Sequence, residues 1–351
     1  MNTIELLDTA PATTLSPARI MDVGMSFWAS KTLLTAVKLD VFTELSTNSL
    51  TGAELQSRLG LHPRSSHDFF DTLVSLGFLE RVGNGAQALY GNAPEAAQFL
   101  NRHAPTYIGG LLEMANDRMY PFWGSLEEGL RTGLPQNEMK KTGKSLFDAI
   151  YEQPAVLEQF LRGMSGGQMG NFMALAHTFD FGRYDTLCDI GGANATLSIC
   201  VARQHPHLHC LSVDLPAVVP VAARTIAQAG LSEQIQVGTL DFMRQSFPQA
   251  QVITMGNILH DWSLDIKQML IGKAYQALPD NGALVVIENI IDDERRQNSF
   301  GLLMSLNMLI ETDGGFDYTH ADFHQWATQA GFRSTTKLPL AGPCSAVVAY
   351  K

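Results

Sequence analysis

The chain has 351 residues, of which 45% are hydrophobic, and it carries 24 basic side chains against 35 acidic ones. This length allows one or two domains with full cores that need no metal or disulfide support. The net charge of −11 argues against nucleic acid or an anionic membrane as the main partner.

The four cysteines (Cys188, Cys200, Cys210 and Cys344) lack CxxC or other paired short spacing. Neither a zinc cage nor a disulfide framework is therefore expected, and reduced thiols are typical of the cytoplasm. Residues 1–30 do not contain a basic segment followed by an apolar run, so no secretion signal is predicted. We expect a cytoplasmic protein without a membrane partner.

Residues 51–85 predict a winged-helix pattern of two short helices and a strand with a turn. Thr51 followed by Glu54 is typical of a capping box at the start of a helix, which Gly60 would end. A second helix would begin after Pro63, and residues 78–85 resemble a strand followed by a glycine-rich turn.

A winged helix raises a DNA-binding hypothesis, which the charges oppose. Residues 1–100 contain six basic and ten acidic side chains, and the would-be recognition helix carries Asp68 and Asp71. A packing role is favoured, because the preceding helix has an apolar surface that needs a partner. We therefore predict a homodimer through the helix that contains Met25, Phe27, Trp28, Leu33 and Leu34.

The rest of the chain divides near residue 180. Residues 106–180 have helical apolar spacing and many methionines and aromatics, which suits a layer over an apolar planar ligand. Beyond that point, short β-branched runs alternate with amphipathic helical stretches, as expected of an α/β domain with a parallel sheet. The predicted parts are a winged-helix-like domain at 1–105, a helical segment at 106–180 and a Rossmann-like domain at 181–351.

The predicted strands are followed by glycines and acids. Gly191 and Gly192 come after the first strand, Asp214 ends the second, and Asp241 with Phe242 follows the third. Ligands of open α/β sheets bind at the carboxyl ends of the strands, where a carboxylate can accept hydrogen bonds from ribose hydroxyls. The glycines do not form the G-x-G-x-x-G pattern of a dinucleotide site.

The fourth predicted strand leads to His260, Asp261 and Trp262 at the same edge. Glu288 ends the fifth strand, and Asp317 lies just before a helix. Carboxylates beside an imidazole fix its tautomer and orientation, which is what a general base needs.

Together these motifs resemble the S-adenosylmethionine-dependent O-methyltransferases of small molecules, of the plant caffeate and flavonoid type with bacterial members. The matching motifs occur in order along nearly the whole chain: GMS at 163–165, DIGG at 189–192, VDLP at 213–216, DF at 241–242, HDWS at 260–263, IE at 287–288 and GGFDYT at 314–319. The resemblance implies a winged-helix dimerisation domain, a helical substrate segment and a Rossmann-like catalytic domain.

The resemblance also implies a role for individual residues. His260 would be the catalytic base, with Glu288 and Asp317 on either side of it. Contacts to S-adenosylmethionine (SAM) would come from Gly191, Gly192, Asp214, Asp241, Phe242, Trp262 and Gln168. The acceptor pocket would include Asn116, Phe160, Met164, Met308 and Thr312. His260 would take the acceptor's hydroxyl proton as the methyl group arrives, and no metal is implied.

The chain departs from the family pattern at three places. The glycine-rich loop, usually GGGTG, is GGANA here; Gly256 stands where Lys or Arg is common; and Asp317 replaces the usual Glu. These departures leave open a member that methylates nitrogen, sulfur or carbon, or that catalyses a reaction other than methyl transfer. A winged-helix regulator with a degenerate enzyme domain is the remaining alternative.

Overall fold

The structure is a computed structural model that describes residues 15–104, 106–143 and 154–351. The chain divides into two compact units, of which the first ends at Ala104. The predicted boundaries after residues 105 and 180 stay predictions. Residues 1–14, 105 and 144–153, which fall within the first two predicted parts, lie outside the described residues.

The first unit contains the predicted helices and a small antiparallel sheet. Its helices are α1 (Ala18–Lys38), α2 (Val41–Glu44), α3 (Gly52–Arg58), α4 (Ser66–Ser75) and α5 (Pro94–Phe99). Its strands are β1 (Leu50–Thr51), β2 (Leu79–Val82) and β3 (Leu89–Asn92), in the order β1-β3-β2. The Thr51 hydroxyl accepts from the Glu54 N–H while Glu54 accepts from the Thr51 N–H, so the predicted capping box is confirmed.

The surface of this unit bears on the DNA-binding hypothesis. Asp71 on α4 accepts hydrogen bonds from Arg81 at 2.6 Å and from the Tyr90 hydroxyl at 2.7 Å. The charges of Asp71 and Arg81 are thus paired with each other within the unit.

Helix α1 is buried only in part. Leu34 is buried, whereas Phe27 is 48% and Trp28 63% exposed.

The second unit begins with helices and continues into alternating strands and helices. The helices are α6 (Gly109–Met114), α7 (Tyr120–Trp123), α8 (Leu126–Thr132), α9 (Met139–Thr142), α10 (Pro154–Thr178), α11 (Thr196–Gln204), α12 (Val219–Ala229), α13 (Leu264–Ala277), α14 (Ser299–Glu311) and α15 (His320–Ala330). The strands are β4 (Thr186–Ile190), β5 (His209–Asp214), β6 (Ile235–Thr239), β7 (Val252–Gly256), β8 (Ala283–Glu288), β9 (Ser334–Pro339) and β10 (Ser345–Tyr350). A π-helical turn, Ala115–Met119, joins α6 to α7.

The seven strands form one sheet in the order β6-β5-β4-β7-β8-β10-β9. The first five are parallel, and β10 runs antiparallel to both β8 and β9. In chain order the sheet begins with β4 in its middle, continues through β5 to β6 at one edge, and then crosses to β7 on the other side of β4. In such sheets the crevice beside the first strand, at the carboxyl ends, is where ligands bind. The predicted α/β fold is confirmed.

Apolar clusters lie on both faces of this sheet. One contains Leu270 and Ile271 of α13 with Phe323 of α15, and the other contains Leu197 and Val201 of α11. Strand β8 is buried along its whole length because its alternate side chains face the two clusters. None of the described helices combines the length and apolarity that crossing a bilayer requires.

Candidate active site

The turn after β4 lies directly against the end of β5. The N–H groups of Gly191 and Gly192 both donate to the Val213 carbonyl, at 2.9 and 3.1 Å. A Cβ on Gly192 would lie 2.1 Å from the Ser212 Oγ, and one on Gly191 would lie 2.4 Å from the Ile258 Cδ1. Glycine is therefore needed at both positions for the turn to pack this tightly.

The same turn contains two alanines in left-handed backbone conformation. Ala193 has φ +52° and Ala195 has φ +64°, and Gly191 has φ +67°. Positions 193 and 195 are those where the resembled family has glycine. The backbone thus adopts a conformation that favours glycine, and each alanine Cβ crowds its neighbouring carbonyl, at a cost of roughly 1–2 kcal/mol.

We expect Ala193→Gly to stabilise the protein. Relief of the left-handed strain exceeds the extra unfolded-state entropy of glycine, so the expected gain is about 0.5–1 kcal/mol in the free energy of unfolding. Ala223→Gly, at an exposed position with ordinary helical geometry in α12, should instead cost about 1 kcal/mol. Denaturant titration of the two variants decides; a loss of stability at position 193 would contradict the strain argument.

Asp214 ends β5 beside the glycine turn. Its Oδ2 accepts from the Ala193 N–H at 2.9 Å, and its Oδ1 accepts from the Leu215 N–H at 2.7 Å. Burial raises the pKa of this carboxyl, while the two backbone donors lower it. Since an ionised carboxylate offers about four acceptor positions, both oxygens can still accept a hydroxyl of a bound ligand.

Asp241 and Phe242 follow β6, the neighbour of β5. The Asp241 Oδ1 accepts from the Met243 N–H at 3.0 Å. The Phe242 ring meets Trp262 edge to face, with centroids 5.9 Å apart. Phe242 also lies beside Gly191, whose added Cβ would be 4.0 Å from the Phe242 ring. An aromatic wall thus stands next to the glycine turn.

His260 lies in a short helical turn, Leu259–Asp261, that follows β7. Its backbone N–H donates to the Glu288 Oε1 at 3.0 Å, and its ring Nδ1 is 3.4 Å from the Asp317 Oδ1. All three residues are at least 95% buried. The structure therefore brings the three predicted catalytic residues together.

A third carboxyl joins this group. The Asp261 Oδ1 is 3.5 Å from the Nε2 of His260. Sequence analysis placed Asp261 at the sheet edge but assigned it no role beside the imidazole. We call His260, Asp261, Glu288 and Asp317 the acidic cluster.

The acidic cluster changes the basicity of its members. Burial opposes a charge on His260, but the carboxyls of Asp261, Asp317 and Glu288 outweigh it and raise the imidazole pKa to about 10. Burial raises the pKa of Asp261 to about 6, against the effect of His260. The carboxyls therefore favour the protonated form of the imidazole. A cationic ligand would lower the imidazole pKa by charge repulsion.

The predicted acceptor and cofactor-end residues lie on several elements. Asn116 is in the π-helical turn and donates to the Asp117 Oδ1 at 2.9 Å. Met308 is buried on α14, and its carbonyl accepts from the Thr312 hydroxyl at 2.8 Å. Thr312 in turn accepts from the Gly315 N–H at 2.9 Å, which ties it to the loop that carries Asp317.

Three further predicted residues lie on α10. Met164 and Gln168 are half-buried, and the Gln168 Oε1 accepts from the Asn171 Nδ2 at 2.7 Å. Phe160 packs against a small cluster that includes Leu161, and Ala193 of the glycine turn packs against the same cluster. Phe160 therefore lies close to the glycine turn.

Sequence analysis missed an ion-pair network behind the acceptor residues. Arg118 in the π-helical turn donates twice to Glu138, at 2.6 Å each, and once to Glu311 of α14 at 2.9 Å. The network fixes the turn that carries Asn116 against the end of α14. No local pattern could reveal it, since Glu311 is 193 residues from Arg118.

Within the described parts of the chain, no group of three or more His, Cys, Asp or Glu side chains has the arrangement of a metal site. The groups described at this edge of the sheet are acids, one imidazole, a glycine turn and an aromatic wall.

Comparison with known proteins identifies the family. Residues 123–333 match the model of the O-methyltransferase domain, and residues 21–102 match that of the O-methyltransferase dimerisation domain. The chain is 36% identical over 335 residues to the tetracenomycin polyketide synthesis 8-O-methyl transferase TcmO of Streptomyces glaucescens, covering 95% of this chain and 97% of the relative. It is 29% identical over 328 residues to the N,N-dimethyltransferase OxyT of Streptomyces rimosus, covering 93% and 94%.

Among solved structures, human N-acetylserotonin methyltransferase in complex with SAM superposes with a TM-score of 0.88 at 26% identity, covering 97% of this chain and 99% of that one. The five parallel strands, the glycine turn and the histidine with its acids all occur in the segment that the O-methyltransferase model matches. The chain belongs to the SAM-dependent O-methyltransferase family and is a methyltransferase with an N-terminal dimerisation domain.

Proposed function

We propose that the protein methylates a hydroxyl group of a small aromatic metabolite, with His260 as the general base. The observation that carries this is the buried imidazole held among three carboxyls at the carboxyl edge of the sheet. An aromatic polyketide is the acceptor class we favour, because the relative TcmO is named for tetracenomycin polyketide synthesis.

The residues at the glycine turn suit SAM. Asp214 has acceptor capacity left for ribose hydroxyls, and the Phe242–Trp262 pair offers an apolar wall for the adenine. The acids near this edge complement a positively charged ligand. When bound, SAM supplies a methyl group already activated on a sulfonium. The protein then has to position the acceptor and manage its proton.

His260 and its neighbours would manage the proton. Asp317 lies 3.4 Å from Nδ1 and Asp261 3.5 Å from Nε2, so a carboxyl flanks each ring nitrogen and orients the imidazole for the proton transfer. The neighbouring carboxyls raise the imidazole pKa above its usual value, which brings it nearer to the phenol pKa of about 10 and favours proton transfer in the transition state. The three carboxyls stabilise the imidazolium that results.

Methyl transfer can be tested directly with purified protein, SAM and a panel of phenolic, heteroaromatic-amine and thiol acceptors. We expect a mass gain of one methyl on a phenolic polyketide and none on its O-methylated form. Calorimetry should show SAM binding with a Kd at or below the micromolar range, about −8 kcal/mol. Saturating SAM binding without methylation of any phenol would overturn the acceptor assignment and leave the family assignment intact.

N-methylation is the second candidate, because the relative OxyT is named as an N,N-dimethyltransferase. An amine acceptor that is neutral at the working pH has less need of a base. Fragmentation of the product by mass spectrometry locates the added methyl on oxygen or nitrogen and separates the two candidates.

We also propose that the protein is a homodimer. The match to a dimerisation domain and the exposed Phe27 and Trp28 on α1 support this. Sedimentation should give a dimer for the natural protein, and Trp28→Glu should dissociate it because a charge would be buried in an apolar interface. Arg296→Glu, at a highly exposed position of the second unit, should leave the dimer intact. A monomeric natural protein would refute the proposal.

The division of labour that we propose follows the predicted segments. Residues 106–180 would cover the acceptor, and residues 181–351 would bind SAM and carry the base. A cytoplasmic location is proposed from the four cysteines, which are all free.

A further inference from the structure

Lys267 on α13 is buried without any exposed surface. Its Nζ donates to the Trp262 carbonyl and lies 3.6 Å from the centroid of the Phe316 ring and 5.9 Å from that of Tyr318. A buried ammonium is costly unless opposite charges or aromatic faces compensate it. The contacts with the Trp262 carbonyl and the Phe316 ring therefore compensate part of the cost of burying the ammonium.

The contacts of Lys267 join the two segments that carry the catalytic residues. Trp262 follows His260 by two residues, and Phe316 and Tyr318 flank Asp317 on either side. One side chain thus touches both the turn after β7 and the loop before α15. These two segments also carry His260 and Asp317, whose side chains are 3.4 Å apart.

The ionisable groups that face the acidic cluster come from several elements. Besides the four members and Lys267 they are Tyr318, before α15, and Cys344, before β10. The Cys344 Sγ donates to the Glu288 carbonyl at 3.3 Å, and burial raises the pKa of this thiol to about 12. Burial and the nearby Glu288 also raise the pKa of Tyr318 far above its usual value. Both are therefore neutral, and the three carboxyls face the positive charges of His260 and Lys267.

We propose that Lys267 is a positioning residue of the methyl transfer: its buried charge balances part of the acidic cluster and so allows His260 to give up its proton. The proposal rests on the general-base role proposed for His260. Without Lys267, the proton on His260 would be the nearest charge that compensates the three carboxyls, and the imidazole would hold it more strongly.

Lys267 itself responds to the cluster. Burial lowers its pKa to about 8, while Glu288, Asp317 and Asp261 counteract the change. Lys267 and His260 both interact with the same three carboxyls, so their titrations are expected to be coupled. As Lys267 loses its proton in the alkaline range, His260 should become harder to deprotonate.

Lys267→Met tests the proposal, because methionine keeps the length and apolar stem but removes the charge. NMR of ring-labelled histidine, with the His260 signal assigned by its loss in His260→Gln, follows the imidazole directly. We expect the His260 titration to move up by about one pH unit. The acid limb of kcat/KM should move with it, which corresponds to a roughly tenfold lower kcat/KM below the limb.

Lys273→Met is the matched control on the same helix. The Lys273 Nζ donates to the carbonyls of Phe242, Met243 and Gln245 at 2.8–3.2 Å, so this variant also removes a partly buried ammonium that fixes a loop. It should leave the His260 titration in place even if SAM binding weakens. A shift of equal size in both variants would overturn the specific role of Lys267.

An unshifted His260 titration in Lys267→Met would also overturn the proposal. If that variant does not fold, the natural protein supplies the test, since the His260 signal should show a second inflection where Lys267 loses its proton. A single-step curve there counts against the coupling. Should His260→Gln retain full activity, the general-base role fails, but the NMR titration still decides whether Lys267 controls the imidazole.

Discussion

Replacement of His260 by glutamine is expected to lower kcat by a factor of about 10²–10⁴, the usual contribution of a general base. Glutamine preserves the approximate side-chain volume. The backbone N–H of residue 260, which donates to Glu288, is also kept. It cannot take a proton from the acceptor. SAM affinity should change little, because the assigned cofactor contacts lie at Asp214, Phe242 and the glycine turn. Single-turnover rates together with calorimetric SAM binding measure the two effects separately.

Asp317→Asn is the control that distinguishes a change in the basicity of His260 from a general loss of structure. The variant keeps the shape but removes one of the charges that raise the His260 pKa. The imidazole should therefore lose its proton at lower pH, and the acid limb of the rate profile should move to lower pH.

The prediction for His260→Gln would be contradicted by activity within a few-fold of that of the natural protein. Such a result would show that no base is needed and would favour an amine or thioether acceptor.

The centre of the sheet could be predicted from sequence because its strands are buried on both faces. The run Ala283–Glu288 is continuously apolar up to its final acid, which is what a parallel strand between two helical layers requires. Strand ends were less certain. The second strand begins at His209, one residue after the apolar Leu208, and ends at Asp214, where the ladder to β6 ends.

The proximity of the proposed catalytic residues was predictable for a related reason. His260 and Glu288 lie at or just after the carboxyl ends of β7 and β8, and the order of strands brings those ends together. Lys267 was not predictable, because a lysine in an amphipathic helix is usually exposed. Its aromatic neighbours Phe316 and Tyr318 are about fifty residues further along the chain. The left-handed φ at Ala193 was equally hidden, because alanine gives no sign of it.

Gly315→Ala is expected to have the second large effect. An added Cβ would lie 2.5 Å from the His260 carbonyl oxygen and 2.8 Å from the Asp261 carbonyl carbon. These are backbone atoms that cannot rotate away, so the loop that carries Asp317 has to move from His260. A displacement of about 1 Å at a catalytic group can cost a factor of 10², and overpacking costs about 1–3 kcal/mol of stability. The loss should appear in kcat, with SAM affinity nearly unchanged.

Gly272→Ala provides a control on α13 close by. A Cβ there meets no atom within 4 Å, and alanine is the better helix former. This variant should be about 1 kcal/mol more stable and fully active. If Gly315→Ala kept its natural kcat, the contact between the loop before α15 and the turn after β7 would not govern the reaction. If kcat falls and a crystal structure of the variant shows Asp317 withdrawn from His260, the distance between those two segments is what the glycine preserves.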